Sequence, residues 1–284
     1  MRGLVPRAMS AEQSQIKVSD LTEAIREVLQ RGSTAALVTL LDSSELRPGA
    51  KLLITETRER VGSLGDPALD DAVTDYSSTF FKTRDEAKLF RVAQFAPALA
   101  KFSNASVLFE RIEAEPRLIV AGAGHVGASL ARLAALVGYR VTLIDDRAEF
   151  VAGERFGSAN EQSIELIAAK NWSEALGEAI QNGRGVSIAI ATRGHKQDEE
   201  CLRSALNSNA VYVGMIGSKR RTNIVLEKLR EEGFAEDRLK SVRAPIGLDL
   251  GAVSPEEVAL SILAEIVTER RGGTGGPLSA WRRE

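Results

Sequence analysis

Apolar side chains at Leu21, Ile25, Val28 and Leu29 recur at helical intervals, with Asp20 and Glu23 at capping-box spacing and Gly32 closing the run. Residues three and four apart share one helix face, so the pattern predicts an amphipathic first helix. Two apolar runs follow, Ala35 to Leu41 and Lys51 to Thr55, separated by a polar turn with Pro48 and Gly49; they predict paired strands. Val107 to Ile112 predicts another strand, after which Glu113-Ala-Glu-Pro116 breaks the pattern. A small α/β module is therefore expected over 9–115, with the domain boundary near Pro116.

Beyond Pro116 the pattern alternates. Strand Leu118–Ala121 precedes helix Val126–Val137, and strand Val141–Ile144 precedes a helix from about Ser163 to Ile180. Strand Val186–Ala191, helix Asp198–Leu206 and strand Val211–Ile216 continue the series. Such alternation predicts an α/β fold, a Rossmann-type parallel sheet with helices on both faces over 116–271. A last helix is signalled by Ser254 as N-cap, Pro255 at its first position and Glu257 three residues past the cap. The run Arg271-Gly-Gly-Thr-Gly-Gly-Pro277 predicts a flexible tail over 272–284. At the other end, Leu4-Val5-Pro6-Arg7 resembles a thrombin cleavage site, so residues 1–8 read as an expression-tag remnant.

Charge and cysteine usage narrow the function classes. Lys plus Arg total 37 against 39 Asp plus Glu, and the formal charge of −2 offers no broad attraction to nucleic acid or an anionic membrane. No apolar run approaches the roughly 20 residues of a membrane span, and the first residues lack the apolar stretch of a signal peptide, so a cytoplasmic protein is expected. Cys201 is the single cysteine. Neither an internal disulfide nor a cysteine-based zinc site can be built within one chain, and no metal ligands are assigned.

The segment Leu118-Ile-Val-Ala-Gly-Ala-Gly-His-Val-Gly127 places G-x-G-x-x-G between a strand and a helix. Gly122 permits the tight turn, Gly124 lets a pyrophosphate approach the backbone, and Gly127 lets the helix pack closely on the sheet. Phosphates would sit at the helix N-terminus, against the backbone of Gly122, Ala123, Gly124, His125, Val126 and Gly127, where free amides favour anions. Eighteen residues after Gly127, Asp145 ends a strand at the position expected to hold a ribose diol. Asp146 and Arg147 follow it, and Arg147 suits either an adenine ring or a 2′-phosphate, so NAD is favoured over NADP without the choice being closed. The same glycines can instead make a tight strand-to-helix junction with no ligand.

In a doubly wound sheet the ligand lies beyond the carboxyl ends of the strands, so Thr192 to Asp198 and Gly217 to Arg221 should face the glycine loop. Thr192, Gly217 and Ser218 are candidate cofactor contacts there. His125, His195 and Asp198 are candidates for proton transfer, His195 and Asp198 as an imidazole–carboxylate pair. Helix capping for His125, and a loop histidine beside a capping aspartate for the pair, are the alternatives.

At Gly122-Ala-Gly-His-Val-Gly127 and Val141-Thr-Leu-Ile-Asp-Asp-Arg147 the chain resembles the XdhC/CoxI family of molybdenum-enzyme accessory proteins. Ala191-Thr-Arg-Gly-His195 with Asp198, Tyr212-Val-Gly-Met-Ile-Gly-Ser218, and Pro245-Ile-Gly-Leu-Asp249 before Ser254-Pro-Glu-Glu257 extend the resemblance across the second domain. Arg47-Pro-Gly-Ala-Lys51 and Val61-Gly-Ser-Leu-Gly65 resemble the family in the first. Members often follow that glycine stretch with a cysteine and a glutamate, where this chain has Ala68 and Asp70.

The resemblance implies a maturation factor that binds a dinucleotide or a molybdenum-pterin cofactor and serves a molybdenum hydroxylase client such as xanthine dehydrogenase. A sulfur-donating partner and a homodimer belong to the same expectation. Two alternatives stay open: an NAD(P)-dependent oxidoreductase using His125 or His195, and a binding module that senses NAD or NADH. The resemblance favours the maturation factor over a steady-turnover dehydrogenase.

Overall fold

Alternation along the first strand assigns both faces of the N-terminal sheet. After helix α1 (Val18–Arg31), strand β1 (Ala35–Asp42) sends Ala35 and Leu37 toward Val28 of α1, and Ala36, Val38 and Leu40 into a separate core on the opposite face. The computed structural model describes residues 18–83, 85–153, 156, 163–181 and 185–279, and the chain divides into two units, 1–114 and 115–284. The tag reading of residues 1–8 lies outside the described residues, as does the end of the tail at 280–284.

In the first unit, β2 (Lys51–Thr55), β3 (Arg60–Ser63), β4 (Ala87–Arg91) and β5 (Ser106–Ile112) join β1 in the order β3-β2-β1-β5-β4, every pairing antiparallel. Helix α2 (Pro67–Phe81) covers the inner face with Leu69, Val73 and Phe80. Sequence periodicity predicts β1, β2 and β5 but not α2. That helix mixes Thr, Ser and Asp through its length, and its signal is the Asp66 N-cap followed by Pro67 at the first turn. Helix α1 begins at Val18, so Asp20 lies in its first turn instead of at its cap.

The second unit holds β6 (Arg117–Ala121), α3 (His125–Leu136), β7 (Arg140–Asp145), β8 (Ile164–Ala168), α4 (Trp172–Ile180), β9 (Val186–Ile190), α5 (His195–Leu206), β10 (Tyr212–Met215), α6 (Lys219–Glu231), α7 (Glu236–Lys240) and α8 (Pro255–Arg271). The sheet is wholly parallel, in the order β10-β9-β6-β7-β8. Side chains of β6 alternate: Leu118 and Val120 enter the core shared with α3 and α8, and Ile119 and Ala121 the core shared with α4, α5 and α6. Both sheet faces are buried, as a parallel sheet requires.

The expected helix from Ser163 to Ile180 is instead two elements. Ile164–Ala168 pairs with β7 as the edge strand, and the helix starts where Asn171 caps the Glu174 amide at 2.9 Å. A short apolar run does not distinguish helix from strand; its pairing with β7 does. Helix α5 likewise starts at His195 rather than at Asp198, with Gly194 as N-cap. Past α8, Gly272 adopts the left-handed conformation that ends the helix, and Gly275 lies beside Leu248.

Candidate functional site

Two strands lead away from β6 in opposite directions, β7 on one side and β9 on the other, so the carboxyl end of β6 is the topological switch point. The glycine loop emerges there. Gly122 turns with φ +114°, and a Cβ on it would come within 2.3 Å of the Ala191 carbonyl oxygen at the end of β9. A Cβ on Gly127 would come within 1.8 Å of the Gly122 oxygen, whereas one on Gly124 would meet nothing within 4 Å. Gly122 and Gly127 are therefore required by the fold itself, while Gly124 keeps an open surface. Helix α3 starts beside that surface without a side-chain cap, leaving its first amides to be satisfied from outside the helix.

Asp145 braces this loop. It is 1% exposed. Its Oδ2 accepts the Ala123 amide at 2.7 Å and an Arg147 guanidinium nitrogen at 2.9 Å; Oδ1 accepts the Arg147 amide at 2.9 Å and Arg147 Nε at 2.8 Å. Burial pushes the carboxyl up, but Arg147 and the two amides outweigh it and hold the group below its ordinary range. Arg147 is stacked over Phe150, 3.6 Å from the ring centroid. The carboxylate expected to meet a ribose is thus turned inward, with two donors on each oxygen. Asp146 is the more open acid, and it pairs with Arg193 at 3.1 Å.

Across the switch point, Thr192, Asp198 and Arg221 form a buried cluster. Asp198 is fully buried, accepts the Thr192 hydroxyl at 2.5 Å, and accepts Arg221 Nε at 2.5 Å. Burial pushes its carboxyl up, against the pull of Thr192 and Arg221. The cluster ties the loop after β9 to the first turn of α6, where Ser218 is N-cap to the Arg221 amide. Asp198 therefore turns toward Thr192 and Arg221 rather than forming the expected pair with His195. His195 and His125 each open a helix and are exposed. Gly217 and Ser218 follow β10, adjacent to the end of β9.

A cleft of about 490 Å³ lined by Glu115, Gly138, Tyr139, Arg140 and Glu165 opens at the amino ends of β7 and β8, away from the glycine loop. It lacks the convergence of helix N-termini found at the carboxyl ends.

Ala68 carries no thiol where the resemblance leads one to expect a cysteine. Asp66 accepts the Ala68 and Leu69 amides at 3.0 and 3.1 Å as the cap of α2, and takes Lys101 at 2.6 Å. Asp70 accepts the Ser63 hydroxyl at 2.6 Å and the Leu64 amide at 2.7 Å. Both acids serve their own backbone, and Ala68 offers no ligand. Cys201 is fully buried in the second unit, its thiol pushed far up by burial. A molybdenum-pterin group bound through a thiolate does not fit these residues. Among the described residues, no group of three or more His, Cys, Asp or Glu is placed to hold a metal.

Counted from β6 as the first strand, the order 3-2-1-4-5 and the glycine turn at its switch point define a Rossmann-type domain. Residues 118–266 match the XdhC Rossmann domain, and residues 28–92 match the XdhC and CoxI family. The chain belongs to the XdhC/CoxI family. It is 31% identical over 248 residues to the uncharacterized protein YqeB of Escherichia coli K12, covering 85% of this chain and 44% of that protein. It is 27% identical over 249 residues to a protein of Bacillus subtilis 168 described as a probable xanthine dehydrogenase subunit, covering 88% of this chain and 64% of the relative. A shorter match, 35% identical over 69 residues, joins 24% of this chain to 22% of the molybdenum cofactor insertion chaperone PaoD of Escherichia coli K12. The chain thus spans less than two thirds of the length of these curated relatives. Among solved structures, that of a xanthine dehydrogenase from Bacillus halodurans has a TM-score of 0.61 at 20% identity, covering 90% of this chain and 68% of that one; the likeness concerns the fold.

Arg193 is the site residue that sequence reasoning does not single out. It stands inside the Ala191–His195 segment, and its partner Asp146 lies 47 positions away in the chain. Only strand order brings the two together.

Proposed function

We propose that this chain is an accessory protein that assists maturation of a molybdenum hydroxylase, and that its Rossmann domain binds a dinucleotide, with NAD favoured. The observation that carries the binding part is the open surface at Gly124 beside the uncapped start of α3, at the switch point of the sheet. An anion there receives first-turn amides and the favourable end of the helix dipole. The maturation part rests on family membership and on relatives described as a cofactor insertion chaperone and a xanthine dehydrogenase subunit. Since Ala68 and buried Cys201 supply no accessible thiolate, any sulfur handled during maturation comes from a partner. An oxidoreductase reading has less support: among the described residues, neither His125 nor His195 has a carboxylate hydrogen-bonded to it to set its tautomer, and Asp198 is engaged by Thr192 and Arg221.

The test is co-expression of a molybdenum hydroxylase with and without this protein. The expected result is client of equal abundance but higher cofactor content and specific activity when the protein is present. Equal cofactor loading in both preparations refutes the maturation role, and absence of NAD binding in a calorimetric titration refutes the binding role.

A further inference from the structure

The glycine loop is pinned on both sides by backbone-level contacts. On one side Gly122 lies so close to the Ala191–Thr192 backbone that a Cβ would meet the Ala191 oxygen at 2.3 Å; on the other, Ala123 donates to Asp145 at 2.7 Å. The next residue outward on the first side is Arg193, and on the second Asp146. Strands β9 and β7 flank β6 directly, which puts these two residues about 10 Å apart across the end of β6 at ordinary strand spacing. Their side chains close that distance to a 3.1 Å ion pair. The pair consequently spans the carboxyl end of β6, the strand from which the glycine loop emerges.

We propose that Arg193 is a ligand-binding residue that grips the pyrophosphate of a dinucleotide over the glycine loop, with Asp146 holding it in place until the ligand arrives. This inference rests on the dinucleotide reading above. A guanidinium fork matches two phosphate oxygens, so its charge-assisted hydrogen bonds complement the α3 amides below. The neighbouring Arg147 is hydrogen-bonded to Asp145, stacked on Phe150 and 3.9 Å from Asp146, whereas Arg193 is 57% exposed and has Asp146, 28% exposed, as its ion-pair partner. An ion pair this open is weak and exchanges readily for a ligand anion. Asp146 then governs access: its charge competes with the phosphates for the same guanidinium.

Calorimetric titration of the full chain with NAD and with ADP-ribose, at low and moderate salt, tests this for wild type, Arg193→Ala, Arg193→Lys and Asp146→Asn. Arg193→Ala is expected to weaken both ligands about tenfold or more and to flatten the salt dependence. Arg193→Lys should fall between, keeping the charge but losing the fork. Asp146→Asn should leave affinity unchanged or tighten it up to about fivefold, the range of a surface ion pair. Loss of affinity in Arg193→Ala without loss in Asp146→Asn separates a ligand grip from a merely structural pair. If wild type binds and Arg193→Ala binds equally well, or Asp146→Asn loses as much as Arg193→Ala, this inference fails while the dinucleotide reading stands. If wild type binds neither compound, the dinucleotide reading fails and takes the inference with it.

Discussion

Replacing Gly124 and Gly127 by alanine, one at a time, adds the same methyl group to the same loop and should give opposite results. At Gly127 the new Cβ would stand 1.8 Å from the Gly122 oxygen and 3.3 Å from Val120 Cγ1. Ordinary contact begins at 3.4 Å, so helix α3 or the loop must move by more than an ångström. Forced overpacking of this kind costs about 1–3 kcal/mol or more, which in a chain of this size lowers Tm by roughly 2–4 °C per kcal/mol. At Gly124 the Cβ meets nothing within 4 Å, and the backbone, at φ −64° and ψ −176°, suits any L residue. Reduced freedom of the unfolded chain favours that alanine by about 0.4–1 kcal/mol. The poorer N-cap opposes it by a similar amount, so stability should change little. Binding should reverse the ranking, because the methyl group at Gly124 occupies the space a phosphate needs. The assay pairs thermal melts with calorimetric titration of NAD: Gly127→Ala melts early, and Gly124→Ala melts normally but binds at least about tenfold more weakly. Equal melting losses in both variants, or full NAD affinity in Gly124→Ala, would refute the division of labour among the glycines.

Asp145→Asn should destabilise the protein at neutral pH by about 1.5–3 kcal/mol, the range for hydrogen bonds to a charged group, because the half-buried Arg147 loses its carboxylate partner. The folded carboxyl lies below the ordinary 3.8, so its contribution is present above that value and lost as pH falls through the lower folded one. The gap between the urea midpoints of wild type and variant should therefore hold from neutral pH down to about 3.8 and narrow only below it; a gap that stays constant in acid would show that the charge is not what Asp145 supplies. Ala68→Cys places a thiol on the exposed first turn of α2, where the helix end favours the thiolate. It should react with a disulfide reagent in the native protein, while wild type, with Cys201 fully buried, reacts only after denaturation. Arg221→Ala removes the counter-charge of buried Asp198 and should lower stability by about 3–5 kcal/mol, with His195→Ala as a neutral control.

Much of the second domain is legible in the residue pattern because its signals are local. Strand Leu118–Ala121, the three glycines and the capping residues of α8 each act within a few positions, and the capping box at Ser254 and Glu257 forms as its spacing predicts. The pattern misleads over Ser163 to Ile180, where locality fails. Ile164 to Ala168 has no intrinsic commitment to strand, and its conformation comes from the hydrogen bonds β7 offers it. Helix α2 escapes the pattern for a related reason, since its apolar positions are few and are chosen by the sheet face they cover.

The amino-acid sequence by itself determined the class of fold, the position of the glycine loop and the family, because backbone geometry at a tight turn admits so few residue types. Tertiary structure alone decided what the charged residues do. Asp145, at the spacing of a ribose acceptor, is consumed by Ala123 and Arg147; Asp198 turns from His195 to Thr192 and Arg221. Arg193 meets Asp146 only because β9 and β7 were laid on either side of β6. A carboxylate's partner is whichever donor the packing brings within about 3 Å, and separation along the chain carries no information about that distance.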